Sequence, residues 1–137
     1  MTRRALREQI FKLLFRAEFN TPDEMPEQEK LFFESGDLTV TPEDQAYITD
    51  KVGRILPEIP AMDVRLEKSI EGWSLKRIGK VELTILRLAL YEIEKDDDIP
   101  AQVAASEAVE LAKKFGQENA GAFVNGVLSK FMPEQEA

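Results

Sequence analysis

Neither cysteine nor histidine occurs in the 137 residues. Without thiols there is no disulfide framework, no thiolate nucleophile and no sulfur ligand for a metal. Without imidazole, most acid–base and transition-metal chemistry near neutral pH is also excluded. Carboxylates are the remaining candidates for catalysis. No apolar run approaches the roughly 18 residues that a membrane-spanning helix needs, and the charged N-terminal stretch MTRRALREQIFKLLFRAEF lacks a signal-peptide cleavage site. A reducing cytoplasm is the expected location, with no membrane association and no cofactor. Tryptophan is scarce, with Trp73 the only one.

What is present is an ordinary globular composition, 43% apolar and 32% charged, in a chain of single-domain length. The net charge of −8 by itself argues against a nucleic-acid binder, but its distribution argues otherwise. Residues 1–16 carry Arg3, Arg4, Arg7, Lys12 and Arg16 against Glu8 alone, a net of +4. Residues 17–63 are acidic (−9), 64–95 slightly basic (+2) and 96–137 acidic (−5). A basic arm on an acidic body can hold an anion locally while the rest repels non-specific contact.

Apolar spacing is helical throughout. The pattern predicts a first helix from Thr2 or Arg3 to Phe19, with Leu6, Ile10, Leu13, Leu14 and Ala17 inward and Phe11, Phe15 and Phe19 on a second stripe. Helices follow at 26–35, stopped by Gly36, and after Thr41-Pro42-Glu43-Asp44, an N-cap followed by proline and two acids, running to Pro57. Residues 60–71 form another. Ser74 can cap a short turn, Lys80 to Glu94 is apolar around most of its circumference, Pro100 opens the next helix, which ends at Phe115-Gly116, and the last runs from Asn119 or Ala120 to Phe131. The expected fold is all-α: one compact domain, 1–137, of about seven helices in two small bundles sharing the 80–94 helix, with a polar tail from 133 to 137.

Arg3, Arg4 and Arg7 lie within one helical turn and offer planar forks for phosphate or stacking on unpaired bases. Their bland alternative is a solvated helix end, although positive charge at a helix N-terminus opposes the macrodipole. Of the aromatic stripe, Phe11 and Phe19 are expected to be buried, while Phe15 is open to either a core or a partner role. Trp73 could stack on a base, but a lone tryptophan is more often a core plug. Glu92 with Glu94, and Glu107 with Glu110, have no accompanying histidine or metal-spacing motif, so a catalytic reading has little support. Gly116 reads as a helix cap, Gly126 as a site of close helix packing, and Asp96–Asp98 as a solvated turn.

The stretches ILRLALYEI (85–93), Ile99-Pro100 with SEAVELAKKFG (106–116) and FVNGVL (123–128) together resemble the NusB family of transcription antitermination factors. The resemblance is strong from 73 to 130 and looser from 20 to 72. It implies an all-helical, non-enzymatic RNA-binding protein that pairs with ribosomal protein NusE. The pair binds single-stranded boxA RNA and helps the RNA polymerase antitermination complex read through ribosomal RNA operons. By position it assigns Arg3, Arg4 and Arg7 to RNA, with Trp73 and Gln102 near the RNA-facing edge, and Phe15 and Glu82 to the NusE interface. The chain departs from the family's GxEDSxKFVNGVL, reading GQENAGAFVNGVL: Asn119 replaces an acid, Ala120 a hydroxyl and Ala122 a base. Gln102 is neutral where some relatives carry lysine. Losing the bases at 122 and 102 thins the basic surface, while losing the acid at 119 removes repulsion; weak RNA binding alone and tighter binding with NusE are expected. The alternatives are an interaction bundle without RNA binding of its own, and the helical domain that precedes a methyltransferase in a related family. Self-association as a homodimer is a further way to cover apolar surface when the partner is absent.

Overall fold

A computed structural model describes residues 1–35, 39–70, 72 and 74–133; the expected stop at Gly36, Trp73 and most of the tail lie outside them. Among the described residues there are seven α-helices and no strand, as the helical spacing predicts. They divide into two compact units, Met1–Pro57 and Glu58–Ala137. The helix expected to be shared between two bundles falls wholly within the second.

In the first unit, α1 (Arg3–Phe15) starts where Thr2 Oγ1 accepts the Ala5 amide at 3.0 Å. Of its inward stripe, Ile10, Leu13 and Leu14 are at most 2% exposed, while Leu6 and Ala17 at the two ends are half-buried. The helix stops four residues short of the expected end, because the chain tightens into a 3₁₀ turn at Arg16–Glu18. Asn20 Nδ2 closes that turn by donating to Arg16 O at 2.8 Å. The change of winding carries Phe19 off the stripe that would have buried it. Phe19 is 59% exposed, correcting the expectation of burial, whereas Phe11 is buried as expected. α2 (Met25–Ser35) follows a capped turn in which the Thr21 amide donates to Glu24 Oε1 at 2.7 Å. α3 (Pro42–Ile55) begins as its sequence predicts, with Thr41 Oγ1 accepting the Asp44 amide at 3.1 Å and Pro42 in the first turn.

In the second unit, α5 (Lys80–Lys95) packs against α4 (Ile59–Ser69), α6 (Ala101–Phe115) and α7 (Ala120–Leu128). Its apolar circumference has this cause: Ile85, Leu86, Leu88, Ala89 and Leu90 are at most 2% exposed and point in several directions. Ion pairs clamp α4 to it. Arg87 makes a two-pronged contact, Nε to Asp63 Oδ1 at 2.9 Å and Nη2 to Oδ2 at 2.7 Å. Lys95 reaches Glu58 at 2.8 Å, and Arg65 pairs with Glu94. The short turn Leu75–Arg77 is held by backbone bonds, with no side-chain cap from Ser74, contrary to expectation. At the next break Asp96 Oδ1 accepts the Asp98 amide at 3.1 Å, and Asp97 and Asp98 are exposed, so the aspartate run is a solvated turn.

The close approach of α6 and α7 occurs at Gly121, where an added Cβ would sit 3.3 Å from Lys113 Cγ and 3.5 Å from Val109 Cγ1. Gly126, expected to serve this purpose, is exposed with open space around it. Asn119 adopts a left-handed conformation (φ 70°) immediately before α7, which asparagine tolerates better than branched residues do.

Arg87 is 11% exposed at its side chain, so removing it strands a half-buried Asp63 carboxylate. Arg87→Ala is expected to cost about 2 kcal/mol in urea denaturation, whereas loss of the exposed Lys95–Glu58 pair should cost under ~1 kcal/mol. Bonding to the Thr21 backbone amide, then to its hydroxyl, holds the Glu24 carboxyl below the usual carboxylate range. That contribution is present above the unfolded pKa and is lost as pH falls through the folded one. Carboxyl NMR of Glu24 should show a lowered midpoint, and Thr21→Val should return it only part of the way, because the amide bond remains.

Candidate nucleic-acid interface

The basic arm separates into different tasks once it is wound into α1. Position 7 lies three and seven residues before Ile10 and Leu14, on the buried stripe, and Arg7 is accordingly 7% exposed. Arg16 turns back onto α2, with Nη1 donating to Gln28 O at 3.3 Å and Oε1 at 3.2 Å and its guanidinium 5.3 Å from the Phe32 ring centroid. Lys12 lies 3.5 Å from Glu8 one turn away. Arg3 and Arg4 are exposed in the first turn of the helix. The expected three-arginine surface is therefore two arginines, with the third placed inside by the helix period.

The aromatic stripe ends at the surface of the same unit. Phe15 is half-buried, tilted at 33° against Phe11 with ring centroids 6.2 Å apart and edge-on to Phe19 at 5.2 Å. Phe19 extends the aromatic surface outward, which the helical pattern could not show because the helix changes pitch before reaching it. Leu31 and Tyr47 are also exposed apolar side chains of this unit.

In the second unit, Gln102 lies at one end of an open groove of about 600 Å³ between α6 and α7. From α6 the groove is lined by Gln102, Ser106, Val109 and Lys113, and from α7 by Ala122 and Asn125 among others. Ser106, Lys113 and Asn125 were not singled out by the sequence. The signal was there, since 102, 106, 109 and 113 fall on one helical stripe. Gln102 and Ala122, read separately as positions with a missing base, share this groove. Lys113 supplies a positive charge there, paired at 3.7 Å with Glu110.

Glu82 does not project from the surface. It is 9% exposed, and its Oε1 accepts the Gln117 amide at 3.2 Å. Of the carboxylates weighed as catalysts, Glu92 is 1% exposed, Glu94 is exposed and pairs with Arg65, and Glu110 pairs with Lys113. Among the described residues no group of three or more acids is placed to hold a metal ion, and no helix is long and apolar enough to cross a membrane.

Comparison with known proteins gives these surfaces a family. The sequence model of the NusB family matches residues 4–133. A transcription antitermination protein NusB of Agathobacter rectalis is 47% identical, with 96% of this chain and 99% of that protein aligned. The structure of T. maritima NusB superposes with a TM-score of 0.81 at 36% identity, covering 95% of this chain and 89% of that one. A structure of antitermination factors NusB and NusE in complex with dsRNA matches with a TM-score of 0.79 at 29% identity, covering 93% of each chain. On sequence and fold alike, the chain belongs to the NusB family of transcription antitermination factors.

Proposed function

We propose that this chain is a non-enzymatic, cytoplasmic RNA-binding antitermination factor that acts with ribosomal protein NusE. The pair recognises single-stranded boxA RNA and promotes read-through of ribosomal RNA operons within the RNA polymerase antitermination complex. The observation that carries the RNA reading is the exposure of Arg3 and Arg4 at the first turn of α1 in a chain of net charge −8. Two guanidinium groups on an otherwise acidic protein confine phosphate to that turn and disfavour it elsewhere. Arg7 supports that turn from inside the first unit. Gln102 and Asn125 offer amide groups to unpaired bases along the groove of the second unit, and Trp73 keeps its proposed stacking role.

NusE is the partner that fits the aromatic surface of Phe15 and Phe19, an amphipathic patch of the kind that anchors interfaces. Support for both partners comes from the related assembly of NusB, NusE and dsRNA. The acidic balance and the neutral Gln102 and Ala122 favour a second reading, in which NusE carries the RNA contact and this chain only scaffolds it.

Fluorescence anisotropy with single- and double-stranded RNA probes, with and without NusE, separates the two. The proposal expects preferential binding to the single strand and tighter binding with NusE. In the heterodimer, Arg3→Ala and Arg4→Ala should each flatten the log–log salt slope by about 0.7; unchanged slope and affinity would leave the scaffold reading. Phe15→Ala and Phe19→Ala should weaken NusE capture by at least ~1 kcal/mol each, measured by calorimetry, and equal affinity for both variants would move the interface elsewhere.

A further inference from the structure

The Glu82 carboxylate sits between two glycines. A Cβ added at Gly79 would fall 2.3 Å from its Oε2, and one added at Gly116 would fall 3.2 Å from its Oε1. Neither glycine is required by its backbone, since Gly79 has φ −57° and Gly116 φ −87°, values open to any residue. At Gly79 an added Cβ would meet only the end of the Glu82 side chain itself. At Gly116 the crowding comes first from Ala120 Cβ at 2.6 Å and Ala112 O at 2.7 Å, and then from Glu82.

Through the gap so formed, Glu82 at the third position of α5 reaches the turn between α6 and α7 and accepts the Gln117 amide. That turn sets where α7 begins. Gln117 O accepts the Ala120 amide at 3.0 Å, Asn119 takes the left-handed conformation, and its carbonyl accepts the Phe123 amide at 3.1 Å. Ala122 and Asn125, which follow directly, form the α7 side of the groove that holds Gln102.

We propose that Glu82 is a positioning residue for RNA: its carboxylate braces the 116–119 turn from α5 and so fixes the α7 wall of the groove against α6. The groove's role in RNA binding rests on the function proposed above; the brace itself does not. What matters for this task is an acceptor oxygen at the right reach, and the negative charge is secondary. A direct ionic contact with a partner protein would have the reverse requirement.

Two substitutions separate reach from charge. Glu82→Gln keeps an acceptor oxygen at the same distance without the charge, and Glu82→Asp keeps the charge but shortens the arm. Each protein would be assayed for amide hydrogen exchange at Gln117 and for RNA affinity in the presence of NusE, with circular dichroism confirming the fold. The brace predicts that Glu82→Gln keeps the Gln117 exchange rate of the unsubstituted protein. For Glu82→Asp it predicts exchange at Gln117 about tenfold faster and RNA binding about fivefold weaker, the size of effect expected of a residue away from the ligand. The opposite ranking, with Glu82→Asp normal and Glu82→Gln impaired, would overturn it, as would unchanged Gln117 exchange in Glu82→Asp. If the unsubstituted protein binds no RNA, the function proposed above fails separately, and the exchange result still decides the brace.

Discussion

Burial of α5 is the constraint on which the second unit depends. A helix whose side chains are enclosed in several directions cannot shift without disturbing each neighbour, because interiors are packed at near-crystalline density. Its polar groups are therefore placed where they do structural work. Arg87 grips Asp63 on α4 near the middle of the helix, Glu82 reaches the α6–α7 turn from its start, and Lys95 holds Glu58 from its end. The groove residues sit on the two helices that α5 supports, so the geometry offered to a ligand is set by side chains that never touch it.

The first unit divides its positive charge between internal contacts and the surface. Of the bases in α1 and the turn after it, Arg7 is drawn into the core by the helix period, and Arg16 fastens α1 to α2. What reaches solvent at the start of the helix is Arg3 and Arg4, within the threonine-capped first turn. A small positive surface on an acidic protein gives modest intrinsic affinity and strong discrimination against non-specific polyanion binding. Such a protein gains most from a partner that adds charge, which is the physical sense of the proposed pairing with NusE.

Much of this was legible in the residues. Thr41-Pro42 fixed the start of α3, Pro100 the start of α6, and the all-round apolar pattern of 80–94 marked the enclosed helix, because caps, proline and periodicity act locally. The misplacements have separate causes. Phe19 was assigned to a stripe that assumed constant α winding, and the 3₁₀ turn at Arg16–Glu18 broke the register. Gly126 was read as the contact point of α7, whereas the crossing falls at Gly121; a glycine's sequence context does not say where two helices approach most closely. Arg7 follows Arg3 by one helical turn, which groups the two, but its spacing to Ile10 and Leu14 places it inside. The carboxylate of Glu82 went unread as a brace because its partners, Gly116 and Gln117, are more than thirty residues away in sequence.

In the proposed function, RNA meets this chain at the first turn of α1 and along the α6–α7 groove. The decisive experiment maps amide chemical-shift changes on isotope-labelled protein, bound to NusE, as a single-stranded boxA-like RNA is added. Changes are expected to concentrate at residues 2–6 and around Gln102, Lys113, Ala122 and Asn125, fading as salt is raised. Changes confined to NusE, or to other surfaces of this chain, would contradict it.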